Sequence, residues 1–233
     1  MNKITLIKVN MRNFKVLIAL FFISWSFAQE KEGTTTPEKP KFYFTYGLNA
    51  QVQDELSIDK KLKVAGLPEV NSFTPEFFIG MTMFGKKYSG DIDFGFLNSK
   101  NEAGNNENRY IGFTTRLRVH YNLINKEKVA FTTGLNFSNT TGELVVFTKN
   151  NVIDLNDLTP ANNVGNLSLR NNLFFVGPSA SLYLFNNKST KLRLNVGYEF
   201  AFTNGKWKSD YADVNNTVKE QGNNRFVFGI TLL

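Results

Sequence analysis

The sequence contains no cysteine and a single histidine. The first absence excludes a disulfide framework, a thiolate-ligated metal and an acylated lipoprotein cysteine. Uncompensated positive charge is also scarce. Of the formal +7, the first 28 residues supply Lys3, Lys8, Arg12 and Lys15 with no acid, leaving +3 for the rest. That excess is too small to argue for nucleic acid, and neither a basic run nor an RNA-type aromatic motif is present. Beyond residue 28 no apolar run is long enough for a membrane-spanning helix.

The N-terminus has the form of an export signal. Residues 1–15 are basic, and Val16 to Phe27 is an apolar run. Ser26 and Ala28 occupy the −3 and −1 positions of a cut before Gln29, so Ala28 and Gln29 flank the expected cleavage site. The apolar run is about a dozen residues, against roughly 20 for a spanning helix. Either Met1 or Met11 serves as the start, because Arg12 and Lys15 still precede the apolar run from Met11. Residues 29–40 are polar and aperiodic, which reads as a disordered lead-in. The expected organisation is therefore a signal peptide over 1–28, a lead-in over 29–40 and one domain over 41–233.

What remains is rich in aromatics, with 23 phenylalanines, and it alternates. From 111 to 123 the odd positions are Ile, Phe, Thr, Leu, Val, Tyr and Leu. From 110 to 122 the even positions are Tyr, Gly, Thr, Arg, Arg, His and Asn. Successive side chains on a strand point to opposite faces, so this is a strand with one apolar and one polar face. The pattern recurs over eight segments: about 42–53, 72–84, 88–98, 109–123, 129–139, 172–185, 190–203 and 224–233. Pro75 interrupts the second and implies a bulge there or a position above the paired region. In the long 140–171 connection, LVVFT and NVIDL flank Lys149–Asn151 and suggest a hairpin.

Alternation alone does not say which face is inside. A lipocalin-like carrier keeps apolar residues in, and an outer-membrane barrel reverses this. Three features favour the reversal. The connections run long, short, long, short, long, short, long, as in an even-stranded membrane barrel with short turns at one rim. Each polar face carries a glycine (Gly47, Gly80, Gly95, Gly112, Gly134, Gly177, Gly197, Gly229), which suits a crowded interior. The polar-face charges nearly cancel: Glu76, Asp91, Asp93 and Glu199 against Arg116, Arg118, Lys191, Arg193 and Arg225. Hairpin geometry sets Asp91 and Asp93 near Arg116 and Arg118, and Glu199 near Arg225, and paired charge is what a packed interior requires. The expected fold is all-β: an eight-stranded antiparallel up-and-down transmembrane β-barrel with a polar, side-chain-filled interior.

On these strand patterns, over roughly 42–233, the sequence resembles the small eight-stranded outer-membrane barrels of Gram-negative bacteria, the OmpA/OmpX type and the PorT-like barrel-domain proteins. Such chains usually end on an aromatic residue. Here the end is FVFGITLL, with Leu233 last. The resemblance implies an outer-membrane location, a lipid environment and a partner outside or within the envelope.

No residue pattern specifies chemistry. His120 lies on the polar face beside Arg118, and a base there needs a nucleophile. Asp154 with Asp157, and Asp210 with Asp213, do not have the spacing of an EF-hand. Trp207 and Tyr211 in the last loop serve either as partner contacts or as packing on the rim. No catalytic residue, cofactor or metal ligand is assigned. The leading expectation is a non-enzymatic outer-membrane barrel whose outer loops bind something or stabilise the envelope. A lumen filled by side chains argues against a diffusion pore. The alternatives are a lipid-modifying enzyme, a secretion-apparatus component and a periplasmic lipocalin-like carrier.

Overall fold

The computed structural model describes residues 40–149, 156, 166–185 and 191–233. The signal segment, with Ala28 and Gln29, lies outside them, as do the lead-in up to residue 39 and the NVIDL half of the expected hairpin.

Eight strands close into one barrel: β1 (Lys41–Gln53), β2 (Phe73–Phe84), β3 (Tyr88–Ala103), β4 (Asn106–Asn125), β5 (Val129–Thr148), β6 (Leu167–Phe185), β7 (Lys191–Ala201) and β10 (Asn224–Leu232). Each pairs antiparallel with its neighbours in sequence. β1 closes the ring by pairing with both β2 and β10, with Tyr46 opposite Leu232 and Gln53 opposite Arg225. A short helix, α1 (Asp59–Val64), lies in the β1–β2 connection. A two-stranded ribbon, β8 (Gly205–Lys206) with β9 (Lys219–Glu220), lies in the connection before β10.

The apolar face is outside. Phe42, Phe44 and Leu48 of β1 are 64%, 66% and 62% exposed, while Arg116, Arg118, Arg193 and Arg225 are among the largest fully buried side chains. In water such a surface is a liability; in hydrocarbon it is the stable one, and closure leaves no unpaired barrel edge. This is a membrane barrel, the reverse of a lipocalin-like carrier.

Four strands run further than their alternation suggests. β4 and β5 have 20 residues each and β6 has 19, against 13 in β1 and 9 in β10. About 9–11 tilted residues cross a bilayer, so β3–β6 rise past the apolar band as a wall. Two expectations change as a result. The β3–β4 connection is not a long loop, because residues 98–108 stay paired up to Ala103 opposite Asn106. LVVFT continues β5, with Leu144 opposite Tyr110 and Leu169. Loop-like composition was misleading here, because paired strands tolerate Asn and Glu once they leave the lipid.

The free edges of the wall are covered. Asn101 donates its amide to the Glu69 carbonyl at 2.8 Å on the β3 side. On the β6 side, Arg170 and Lys208 exchange backbone hydrogen bonds of 2.7 and 2.9 Å. Against expectation, Pro75 stays in register opposite Ala50 of β1 without a bulge; on the other side it lies just past the last β2–β3 pair, Glu76 opposite Leu97, so its missing N–H breaks no ladder there.

Gly177 shows why a polar-face glycine is needed. A Cβ there would fall on the Tyr198 carbonyl oxygen of the adjacent strand, whereas at outward Gly90 the nearest atom would be 3.5 Å away. Gly177→Ala is expected to destabilise the barrel by about 1–3 kcal/mol and Gly90→Ala far less, compared by urea unfolding in detergent micelles. Equal effects would show that the close approach is not what Gly177 serves.

Candidate functional site

Among the described residues, the lumen gathers the fully buried ion pairs, and it has three levels. The middle level holds two ion-pair clusters. In the first, Arg116 donates to Glu76 at 2.7 Å and to Glu199 at 3.2 Å, and Arg225 donates to Glu199 at 2.8 Å. Asn49 and Gln51 give their amide protons to Glu76, and Arg225 also reaches Ser138 at 2.8 Å. In the second, Arg118 lies 2.7 Å from Asp93 and 3.5 Å from Asp91. Arg193 pairs with Asp91 and donates to Thr231 at 3.1 Å.

Register puts Asp91 opposite Arg118, Asp93 opposite Arg116, and Arg225 opposite Glu199. Arg116 nevertheless turns across the barrel to Glu76 and Glu199, leaving Arg118 to both aspartates. The lumen is narrow enough for a long guanidinium to choose a strand beyond its neighbour. Lys191 stands apart from both clusters: its ammonium lies 3.8 Å from the centre of the Tyr43 ring at the rim.

Below the clusters, at the end that carries the short turns and Lys41, an aromatic seal closes the lumen. Phe84, Ala130 and Tyr183 are buried together, with the two rings edge to face at 5.0 Å. Above, at the loop end, the lumen turns apolar. Leu56, Ile58, Leu62 and Val70 from the β1–β2 connection pack with Trp207 against Leu97, Tyr110, Leu144 and Leu169 of the wall. Two carboxylates fasten this cap. Glu220 accepts from the Ser57 and Ile58 amides at 2.6 and 3.0 Å and from the Trp207 indole at 2.6 Å. Asp59 accepts from the Leu56 and Val70 amides at 2.9 and 2.7 Å. The cavity left beneath is about 20 Å³, room for about one water.

Trp207 is therefore packed in the cap, at 2% exposure, while Tyr211 is 81% exposed. Asp210 pairs with Arg170 at 2.5 Å; Asp154 and Asp157 lie outside the described residues. The cap was not legible as a site, although Ile58 and Leu62, one helical turn apart in a polar stretch, were its signal.

His120 is buried between Thr132, 2.8 Å from Nδ1, and Ser179, 2.6 Å from Nε2. Ser179 gives its one proton to the Asn136 carbonyl oxygen at 2.7 Å, and the Asn136 amide points to Glu199 at 3.2 Å. His120 must then donate from Nε2 to Ser179, with Nδ1 set against the Thr132 hydroxyl. This is the opposite of a base drawing a proton from a serine. Among the described residues, no group of three or more His, Asp or Glu side chains is placed to hold a metal.

No family model matches the chain, and no curated protein is similar to it in sequence. Among solved structures, it aligns with Ail, the attachment invasion locus protein of Yersinia pestis (9% identity, TM-score 0.46, covering 84% of this chain and 99% of that one). It aligns also with Neisserial surface protein A (11%, 0.44, 84% and 99%) and with the outer membrane protease OmpT of Escherichia coli (9%, 0.36, 87% and 97%). With TM-scores below 0.5 these likenesses decide nothing about function. The fold rests on the chain's own closed register.

Two predictions follow from the geometry. Glu199→Gln leaves Arg116 and Arg225 short of a buried counter-charge and is expected to cost about 3–5 kcal/mol. Glu127→Gln, on an exposed turn, should change stability by less than about 0.5 kcal/mol. Urea unfolding in micelles compares them.

The second concerns Asp59. Burial pushes its carboxyl up from 3.8 to about 6, against the lowering effect of the Val70 and Leu56 amides and with smaller upward contributions from Glu220 and Glu69. The docked cap thus holds the Asp59 proton more tightly than the free loop does. Docking strengthens as pH falls through about 6 toward 4, and that increment is lost above about 6. Hydrogen-exchange protection of the Leu56 and Val70 amides, corrected for intrinsic rates, should rise about tenfold from pH 7 to pH 5. A flat or falling profile would contradict it.

Proposed function

We propose that this protein is a non-enzymatic integral outer-membrane barrel, exported by its N-terminal signal. Its capped loop end and tall β3–β6 wall face outward to bind a partner or support the envelope. The observation that carries this reading is the closed lumen. Arg116, Glu76, Glu199 and Arg225 fill the middle, Trp207 and the β1–β2 connection cover one end, and Phe84 with Tyr183 seals the other. A diffusion pore needs a path through and an enzyme needs a reachable reacting group. The described lumen favours neither. The likeness to OmpA/OmpX-type barrels enters as one of architecture, and a secretion-apparatus role rests on the PorT-like resemblance alone. The short turns belong in the periplasm and the cap outside, as even-stranded barrels are arranged.

The test is to fractionate the envelope, extract it in mild detergent and run the extract on a denaturing gel with and without boiling. The reading expects an outer-membrane band whose mobility shifts on boiling. A soluble, unshifted band would overturn it. Lipid A and phospholipid incubated with the purified barrel should stay unmodified, and His120→Ala should change nothing. An altered lipid that depends on His120 would establish the enzyme instead.

A further inference from the structure

Side-chain charge is distributed unevenly along the barrel axis. Among the described residues, the loop end carries acids and bases in equal number, and the lumen sets Glu76, Asp91, Asp93 and Glu199 against Arg116, Arg118, Arg193 and Arg225. The whole excess sits at the turn end: Lys41, Lys86, Lys87, Lys126, Lys128 and Lys191, against Glu127 alone.

These lysines also sit at one rim. Lys86 and Lys87 fill the β2–β3 turn between outward-facing Met83 and Tyr88, and Lys126 and Lys128 flank the β4–β5 turn just past outward-facing Tyr121 and Leu123. Lys41 and Lys191 begin their strands at the same rim. All but Lys191 are exposed. Tyr88 and Tyr121 pack edge to face at 5.5 Å beside them. A ring of ammonium groups one to three residues beyond the last lipid-facing side chain stands where headgroup phosphates lie. Lysine stems can run along apolar surface while the charge stays wet. Among the described residues, Glu127 is the one side-chain carboxylate at this rim.

We propose that the turn rim binds the phosphates of anionic phospholipids in the leaflet it faces. The inference rests on the reading of the chain as a membrane barrel and adds the class of lipid it selects. The attraction is electrostatic and falls with salt.

The full chain is reconstituted in phosphatidylcholine vesicles with and without phosphatidylglycerol, at low and high ionic strength. Unfolding is followed by loss of the unboiled gel band. Phosphatidylglycerol is expected to slow unfolding roughly tenfold at low salt. That gain should vanish at high salt and in a variant combining Lys86→Gln, Lys87→Gln, Lys126→Gln and Lys128→Gln. A loop-end control, Lys60→Gln with Lys61→Gln, should keep it.

A shifted band with no response to phosphatidylglycerol would overturn the lipid proposal while leaving the barrel standing, and would make an acidic protein the fitting partner. An equal response in the rim variant would overturn it too, by placing the anionic lipid elsewhere. No band shift in either vesicle would overturn the membrane reading and this inference with it.

Discussion

The Arg116 guanidinium, shared between Glu76 at 2.7 Å and Glu199 at 3.2 Å, is the interaction on which the rest of the barrel depends. Burying an ion costs several kcal/mol unless a partner meets it. With the outside committed to lipid, every charge on the inner face must find its partner within one narrow lumen. That requirement joins strands far apart in sequence. Arg116 on β4 meets β2 and β7, Arg225 on β10 meets β7, and Arg193 on β7 meets β3. The network therefore works against slippage: moving one strand by a residue would turn its charges into lipid and orphan several partners at once.

The charged middle also determines what the ends must do. An open lumen would let water screen the pairs, and both ends are closed by apolar groups instead. At one end the closure comes from strand residues, Phe84 and Tyr183. At the other it comes from connections, drawn in by Glu220 and Asp59 through backbone amides and the Trp207 indole. The wall of β3–β6 gives that cap something to lean on: Leu97, Tyr110, Leu144 and Leu169 face it from four strands. The cap is thus a small hydrophobic core beyond the membrane band, tied to a polar barrel within it.

Much of this was legible in the sequence. Period-two alternation showed all eight barrel strands, because lipid on one side and packed polar groups on the other leave each position little choice. The glycines and the balance of charge indicated the direction of the faces. Strand ends were less legible: Ser99, Glu107 and Glu143 read as loop although they stay in register, because the apolar mark of a strand stops where the lipid stops. Partner choice was hidden too. Sequence places Arg116 beside Asp93, but a long flexible side chain in a narrow tube reaches past its neighbour. The cap was least visible, because Asp59 and Glu220 are brought together by the fold across connections that carry no period.

The central claim is that the odd face of β4 meets lipid and the even face is enclosed. The natural absence of cysteine makes it directly testable. Single cysteines placed in turn from 111 to 121 would carry a spin label in the vesicle-inserted barrel. Collision with lipid-soluble oxygen and with a water-soluble paramagnetic chelate would then be measured at each site. The account predicts a period of two in which odd positions meet oxygen and even positions meet neither reagent. Chelate access at the even positions, with the odd positions shielded from both, would mean that the barrel is turned the other way and that its apolar face lines a cavity.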